Sequence, residues 1–140
     1  RDALAALSEA SYWLIVVTNQ PDVARGTTPK ALVDSINSWL QSELPVDSVL
    51  TCFHDGVDLC DCRKPKPGLL LTAAHNFGID LPTSFMVGDR WRDVEAGQRA
   101  GCRTFFIDYG YDEKQPESCD FFVKSLLEAA QIILQKEKLK

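Results

Sequence analysis

Two rhythms of apolar residues alternate along this chain. A continuous apolar run at residues 12–17 (YWLIVV) reads as a strand buried on both faces, and the largely apolar segments 46–53, 84–87 and 104–107 read as further strands. Between them, apolar residues recur at helical spacing. Residues 2–10 are rich in helix formers, with Leu4 and Leu7 on one face. Thr28 as cap and Pro29 in the first turn open a helix to about Leu44, carrying Leu32, Ile36, Trp39 and Leu40. Pro67 opens another through Phe77, stopped by Gly78, and residues 91–100 form a third, ended by Gly101. Residues 121–123 read as a short strand. Ser125 and Glu128 form a capping box for a last helix that frays into residues 136–140.

Strand and helix alternate throughout, which predicts an α/β fold: a Rossmann-like three-layer sandwich around a mainly parallel sheet. The length suits one domain over residues 1–140. Thr18-Asn19-Gln20, Cys52 with His54, Gly88-Asp89 and Asp108 each follow the carboxyl end of a predicted strand. That rim is where open α/β sheets bind ligands.

Composition narrows the picture. Hydrophobic residues make up 45% and charged residues 25%, with a formal net charge of -5. This balance argues against a nucleic-acid or anionic-membrane surface while leaving room for a local basic pocket. No apolar run approaches the roughly 20 residues that span a bilayer, and no secretory pattern is visible, so a cytoplasmic location is expected. A monomer is expected unless another chain completes the sheet. The five cysteines are an odd number, which does not suit a disulfide framework.

Three of those cysteines cluster. Cys52-x-His54-x5-Cys60-x-Cys62 supplies three thiols and an imidazole, joined by a loop at 55–59 in which Gly56 permits a turn back. Zinc favours this set as a closed tetrahedron, leaving no position for substrate, so a structural Zn²⁺ is predicted. Core thiols beside a surface histidine are the lesser alternative. Cys62 directly precedes Arg63 and Lys64. Pinning its sulfur fixes the backbone from which both cations project.

Thr18 and Asn19 offer a hydroxyl, an amide and backbone donors suited to phosphate oxygens, or an ordinary strand cap. Lys64 can neutralise a transferring phosphoryl group, or be a solvated lysine. Asp89 suits Mg²⁺, a hard cation that prefers oxygen; Gly88 before it permits a tight turn. Asp89 can equally cap the helix at 91–100. Trp13 reads as core and Trp39 as helix packing.

Taken in order, Val16-Val17-Thr18-Asn19-Gln20, Ala24-Arg25-Gly26, the Cys/His run joined to Arg63-Lys64-Pro65-Lys66-Pro67-Gly68, and Val87-Gly88-Asp89-Arg90 resemble the haloacid-dehalogenase-like (HAD) superfamily. Within it they resemble the zinc-containing branch of heptose bisphosphate and histidinol-phosphate phosphatases. The resemblance implies Thr18 as phosphate-binding hydroxyl, with Asn19 beside it. It implies Lys64 as the charge-neutralising lysine, Asp89 as the Mg²⁺ ligand and Asp93 as the carboxylate that orients Lys64 or the metal site. It places Gln20, Arg25, Arg63 and Arg90 against the rest of a small phosphorylated substrate. Pro21-Asp22-Val23 departs from the branch's usual Ser-Gly-Ile.

The family's first motif, Asp-x-Asp-Gly-Thr on a central strand, does not occur in this sequence. Asp22, Asp55, Asp58 and Asp61 read as loop charges rather than substitutes. In the family that strand lies between those at 12–17 and 84–87, so its absence opens a seam there, with three outcomes: the strand lies upstream of this sequence, the two flanking strands pair directly, or another chain supplies it. The implied activity is Mg²⁺-dependent hydrolysis of a small phosphorylated metabolite, with a heptose bisphosphate first and histidinol phosphate second. The rival is a catalytically inactive, zinc-stabilised phosphate-binding remnant.

Overall fold

Every strand pairing among the described residues is parallel, as the alternating pattern predicts, but the strands divide into two groups. In one, β1 (Ile15–Asn19) pairs with β2 (Ser48–Cys52), from Ile15 opposite Ser48 to Asn19 opposite Cys52. In the other, β4 (Arg103–Ile107) lies between β3 (Phe85–Gly88) and β5 (Phe121–Val123). The structure, a computed structural model, describes residues 1–55 and 60–138, with side chains to residue 136. The expected turn at Gly56, the Asp58 charge and the final Leu139-Lys140 lie outside the described residues.

The helices are α1 (Asp2–Glu9), the short α2 (Pro21–Ala24), α3 (Lys30–Glu43), α4 (Gly68–Phe77), α5 (Trp91–Ala100) and α6 (Leu126–Lys138). α1 and α6 pack together on one face of the β3–β5 group. There Leu7, Phe105, Ile107, Val123, Ala129 and Ile133 form the main core. On the opposite face α5 packs on β3 and β4, and a smaller cluster joins Leu70, Met86 and Ala96. α4 touches β1, β2 and α5, so it ties the two groups of strands together. Three layers result, as the apolar rhythm predicts. No helix among the described residues is long and apolar enough to cross a membrane.

The expected seam is present. β1 and β3 are not hydrogen-bonded to each other. A slot of about 690 Å³ separates them, lined by Ile15 to Thr18 on one side and Phe85 to Gly88 on the other. Leu7 and Ile133 from one helical layer and Leu70 from the other also line it.

Several sequence expectations need correcting. The apolar run at 12–17 is not a strand throughout: Ser11 turns at φ 69°, and Leu14 donates its N–H to Asp47 Oδ2 (2.7 Å), so pairing begins only at Ile15. Nor is β1 buried on both faces; all five residues are half-buried because the slot lies along its edge. Trp13 is 56% exposed and leans on Phe77 rather than entering the core. Trp39 is 55% exposed, on the outer face of α3 with Leu32 and Ile36, while Val33 faces inward. Thr28 does not cap α3; Pro29 takes the cap position, and no side chain there accepts from the first turn. Ser125 does cap α6, accepting from Glu128 N at 3.1 Å, while Glu128 reaches back to Lys124 N rather than to Ser125.

Candidate functional site

The carboxyl ends of β1, β2 and β3 meet at one end of the slot. β2 ends in Cys52, fully buried. Its sulfur lies 3.4 Å from His54 Nδ1 and 3.9 Å from Cys60 Sγ, and His54 Nδ1 is 3.2 Å from Cys62 Sγ. All four donor atoms fall within 4.8 Å of one another. A tetrahedron with metal–ligand bonds of about 2.1–2.3 Å has edges of roughly 3.4–3.8 Å, so these donors are spaced to hold one metal ion. Electrostatics agree. Burial first, then the neighbouring Cys52 and Cys60, push the Cys62 thiol up to about 12. Burial opposes ionisation of Cys60 too, but amide donors from Arg63 and Cys62 draw it down overall. Three crowded thiols cannot all carry charge without a cation between them.

From this cluster the chain runs directly into Lys64, whose backbone is clamped from β1. Asn19 Oδ1 accepts from Lys64 N (3.1 Å), and Asn19 Nδ2 donates to Lys64 O (3.3 Å). Asn19 was expected to touch substrate; both ends of its amide are instead spent on Lys64. Lys64 is buried, 9% exposed as a residue, and not a solvated lysine. Its ammonium donates to Asp93 Oδ1 (2.5 Å) and to Val17 O (3.1 Å). Asp93 is 7% exposed and its other oxygen accepts from Arg90 N (3.2 Å), so one carboxylate both caps α5 and fixes the lysine. This reverses the alternative reading of Asp89: it is not the cap of α5, because Asp93 fills that role. Gly88 also serves differently from expectation. Its φ is not positive, and a Cβ there would collide with the Asp93 side chain. Glycine at 88 admits Asp93 rather than a tight turn.

Asp89 is left to the slot. Thr18, Lys64, Asp89 and Asp93 all line that space. Asp89 Oδ2 accepts from the hydroxyl of Tyr111 at 2.8 Å, and this bond to the carboxylate is the chief reason the Tyr111 phenol is raised above its usual pKa. The Thr18 hydroxyl accepts from Gln20 Nε2 at 3.3 Å, so Gln20 addresses Thr18 rather than open space.

Three arginines expected at substrate are engaged by the protein. Arg25 forms a two-pronged pair with Asp55 (2.6 and 3.0 Å), beside the metal-ligand cluster; that hydrogen bond is the first cause of its raised pKa. Asp55 is thus an ion-pair partner rather than a solvated charge. Arg63 donates to His54 O at 3.4 Å. Arg90 stacks on the Tyr111 ring (3.9 Å) and donates to Glu113 Oε2 (2.8 Å). Spacing in the sequence signalled the Cys/His cluster. Nothing in it signalled Tyr111 or Glu113, which arrive from a loop more than twenty positions away.

A metal-donor cluster, a buried lysine and a slot-facing carboxylate at the ends of parallel strands define a HAD-like hydrolase. The HAD-like hydrolase family model matches residues 61–129. The heptose-1,7-bisphosphate 7-phosphatase of Escherichia coli (strain K12) is 31% identical, with 98% of this chain aligned to 80% of the relative. The same enzyme of Pseudomonas putida is 35% identical over 83% of this chain and 69% of its own length. The crystal structure of the D,D-heptose 1,7-bisphosphate phosphatase from B. bronchiseptica, complexed with magnesium and phosphate, superposes with a TM-score of 0.80 at 32% identity. It covers 96% of this chain and 81% of that one. A HAD phosphatase from Thermococcus onnurineus shares the fold at a TM-score of 0.68 and 22% identity, over 94% of this chain and 55% of that one. The chain belongs to the HAD-like hydrolase family, within its phosphoric monoester hydrolases.

Proposed function

We propose that this protein hydrolyses a small phosphorylated metabolite through a phosphorylated aspartate, with a D-glycero-D-manno-heptose 1,7-bisphosphate as the first-choice substrate. The observation that carries this reading is that Thr18, Lys64 and Asp89 line the same end of one slot. Lys64 is held by Asp93 and Val17 O, so its charge is fixed before substrate arrives. A fixed cation stabilises developing phosphoryl charge without reorganising. The Thr18 hydroxyl donates to a non-bridging phosphate oxygen once Gln20 occupies its lone pair. Asp89 would hold Mg²⁺, which would offset the negative charge of the phosphoryl oxygens. The donor spacing at Cys52, His54, Cys60 and Cys62 supports a Zn²⁺ whose task is to pin Cys62, and with it Arg63 and Lys64.

The attacking carboxylate is not among these residues. It belongs on a strand that fills the slot, where β1 and β3 leave backbone groups unpaired. From there the aspartate forms a new P–O bond as the ester P–O bond breaks. A neighbouring acid protonates the departing alkoxide, and water then cleaves the acyl phosphate to free aspartate and inorganic phosphate.

A second reading, a zinc-stabilised phosphate binder without turnover, draws on the same absence of a nucleophile among the residues in hand. Phosphate release separates the two. With an aspartate-bearing strand in the slot, turnover should require Mg²⁺ and fall at least about 1,000-fold in Asp89→Asn, the scale of a lost charge-stabilising contact. Saturable phosphate binding with no release under those conditions would establish the second reading. Heptose 1,7-bisphosphate and histidinol phosphate in direct competition then rank the substrates by kcat/KM.

A further inference from the structure

We propose that Tyr111 is a positioning residue for the cation site: its hydroxyl holds one oxygen of Asp89 and so leaves the other aimed at the metal. The inference rests on the reading of Asp89 as the Mg²⁺ ligand and deepens it. A carboxylate rotates broadly about its last torsion, so a ligand with no partner spends much of its time misaligned. Asp89 has such a partner. Tyr111 donates to its Oδ2 at 2.8 Å, and no hydrogen bond to Oδ1 is found among the described residues.

The tyrosine is itself braced. It lies in the segment between β4 and β5, reaching Asp89 across twenty-two positions. Gly110, at φ 75°, donates to Asp108 Oδ1 (3.0 Å), a turn that sends the chain back over the carboxyl end of β3. Such a backbone suits glycine because it has no Cβ. The Arg90 guanidinium lies over the Tyr111 ring at 3.9 Å, and the Tyr109 ring is tilted against it with centroids 5.9 Å apart. Arg90 is anchored in turn by Glu113 at 2.8 Å, and Glu113 N donates to Tyr111 O at 2.9 Å. The space left between this segment and Asp89 is only about 10 Å³, room for a single water. The segment therefore rests on Asp89 as a packed brace.

Arg90, which the resemblance assigns to substrate, takes a different part here. Through the Tyr111 ring and Glu113 it stiffens the donor that aligns the ligand. Partners of metal ligands typically set affinity by 10- to 100-fold, and the partial exposure of Tyr111 points to the lower end.

The test is calorimetric titration of Mg²⁺ into the zinc-loaded protein. Tyr111→Phe should weaken Mg²⁺ about 10-fold while zinc content and thermal midpoint stay at wild-type values. Tyr109→Phe, which perturbs the same segment without touching Asp89, should leave the affinity unchanged. Equal losses in both variants would reduce Tyr111 to loop packing and overturn the inference. So would unchanged or tighter Mg²⁺ binding in Tyr111→Phe, the latter showing that the hydroxyl competes with the cation. Asp89→Asn separates the two levels. If it titrates like wild type, the cation reading falls and the inference with it. If it abolishes binding while Tyr111→Phe has no effect, only the inference falls.

Discussion

The two groups of strands are held by different physics. β3–β4–β5 carries the main core: Phe105 is fully buried, stacked on Phe121 at 4.5 Å and sealed by α1 and α6. β1–β2 carries almost none of it. Only Cys52 among its ten strand residues is buried, and that side chain belongs to the Cys/His cluster that could hold a metal. What the second group lacks in apolar burial it replaces with polar cross-links: the metal-donor cluster, the Asn19 clamp on Lys64, and the Lys64–Asp93 pair. That pair reaches from the clamp on β1 to α5, and so spans the slot. The candidate site is thus built where the protein is least supported by its core, so a metal held by the cluster and the site beside it should stand or fall together.

Removing the metal breaks this comparison most severely. Chelation, or Cys60→Ser, should cost more than about 4 kcal/mol locally. Amide exchange would show it as lost protection at residues 15–19 and 48–52 with protection kept at 103–107. Uniform loss across both groups would mean that they unfold as one. Next in size, Phe105→Ala should destabilise the whole protein by about 3–5 kcal/mol in denaturant unfolding, as loss of a fully buried aromatic does. Lys64→Met removes one partner of a buried pair and should cost about 3 kcal/mol. Its signature is faster exchange on both sides of the slot, since Asp93 loses its link to β1. Smallest is Val17→Ala, about 1 kcal/mol, because that side chain is only half-buried beside the slot.

What could be read from sequence follows the same division. α5 and β5 match expectation to the residue, because Gly101 at φ 87° stops the one and a run of three apolar residues makes the other. The meeting of Cys52, His54, Cys60 and Cys62 was legible because their spacing is itself the signal. The apolar run at 12–17 misled, since an apolar pattern reports what a strand would bury, not what is there to cover it. Trp13, Leu32, Ile36 and Trp39 stay exposed for that reason. Arg25 and Arg90 were assigned to substrate because their partners, Asp55 and Glu113, lie thirty and twenty-three positions away. Asn19 and Tyr111 were missed as positioning groups for the same reason. Long-range polar pairing leaves no periodicity to read.

The central claim is that Thr18, Lys64 and Asp89 form part of a phosphoryl-transfer centre, completed by an aspartate-bearing strand in the slot between β1 and β3. The direct measurement is phosphate release by the 140-residue chain alone and by the same chain fused to an N-terminal strand ending in Asp-x-Asp-Gly-Thr. The account predicts phosphate binding without turnover for the first and Mg²⁺-dependent turnover for the second. Turnover by the first, or a folded but inert second, would contradict it.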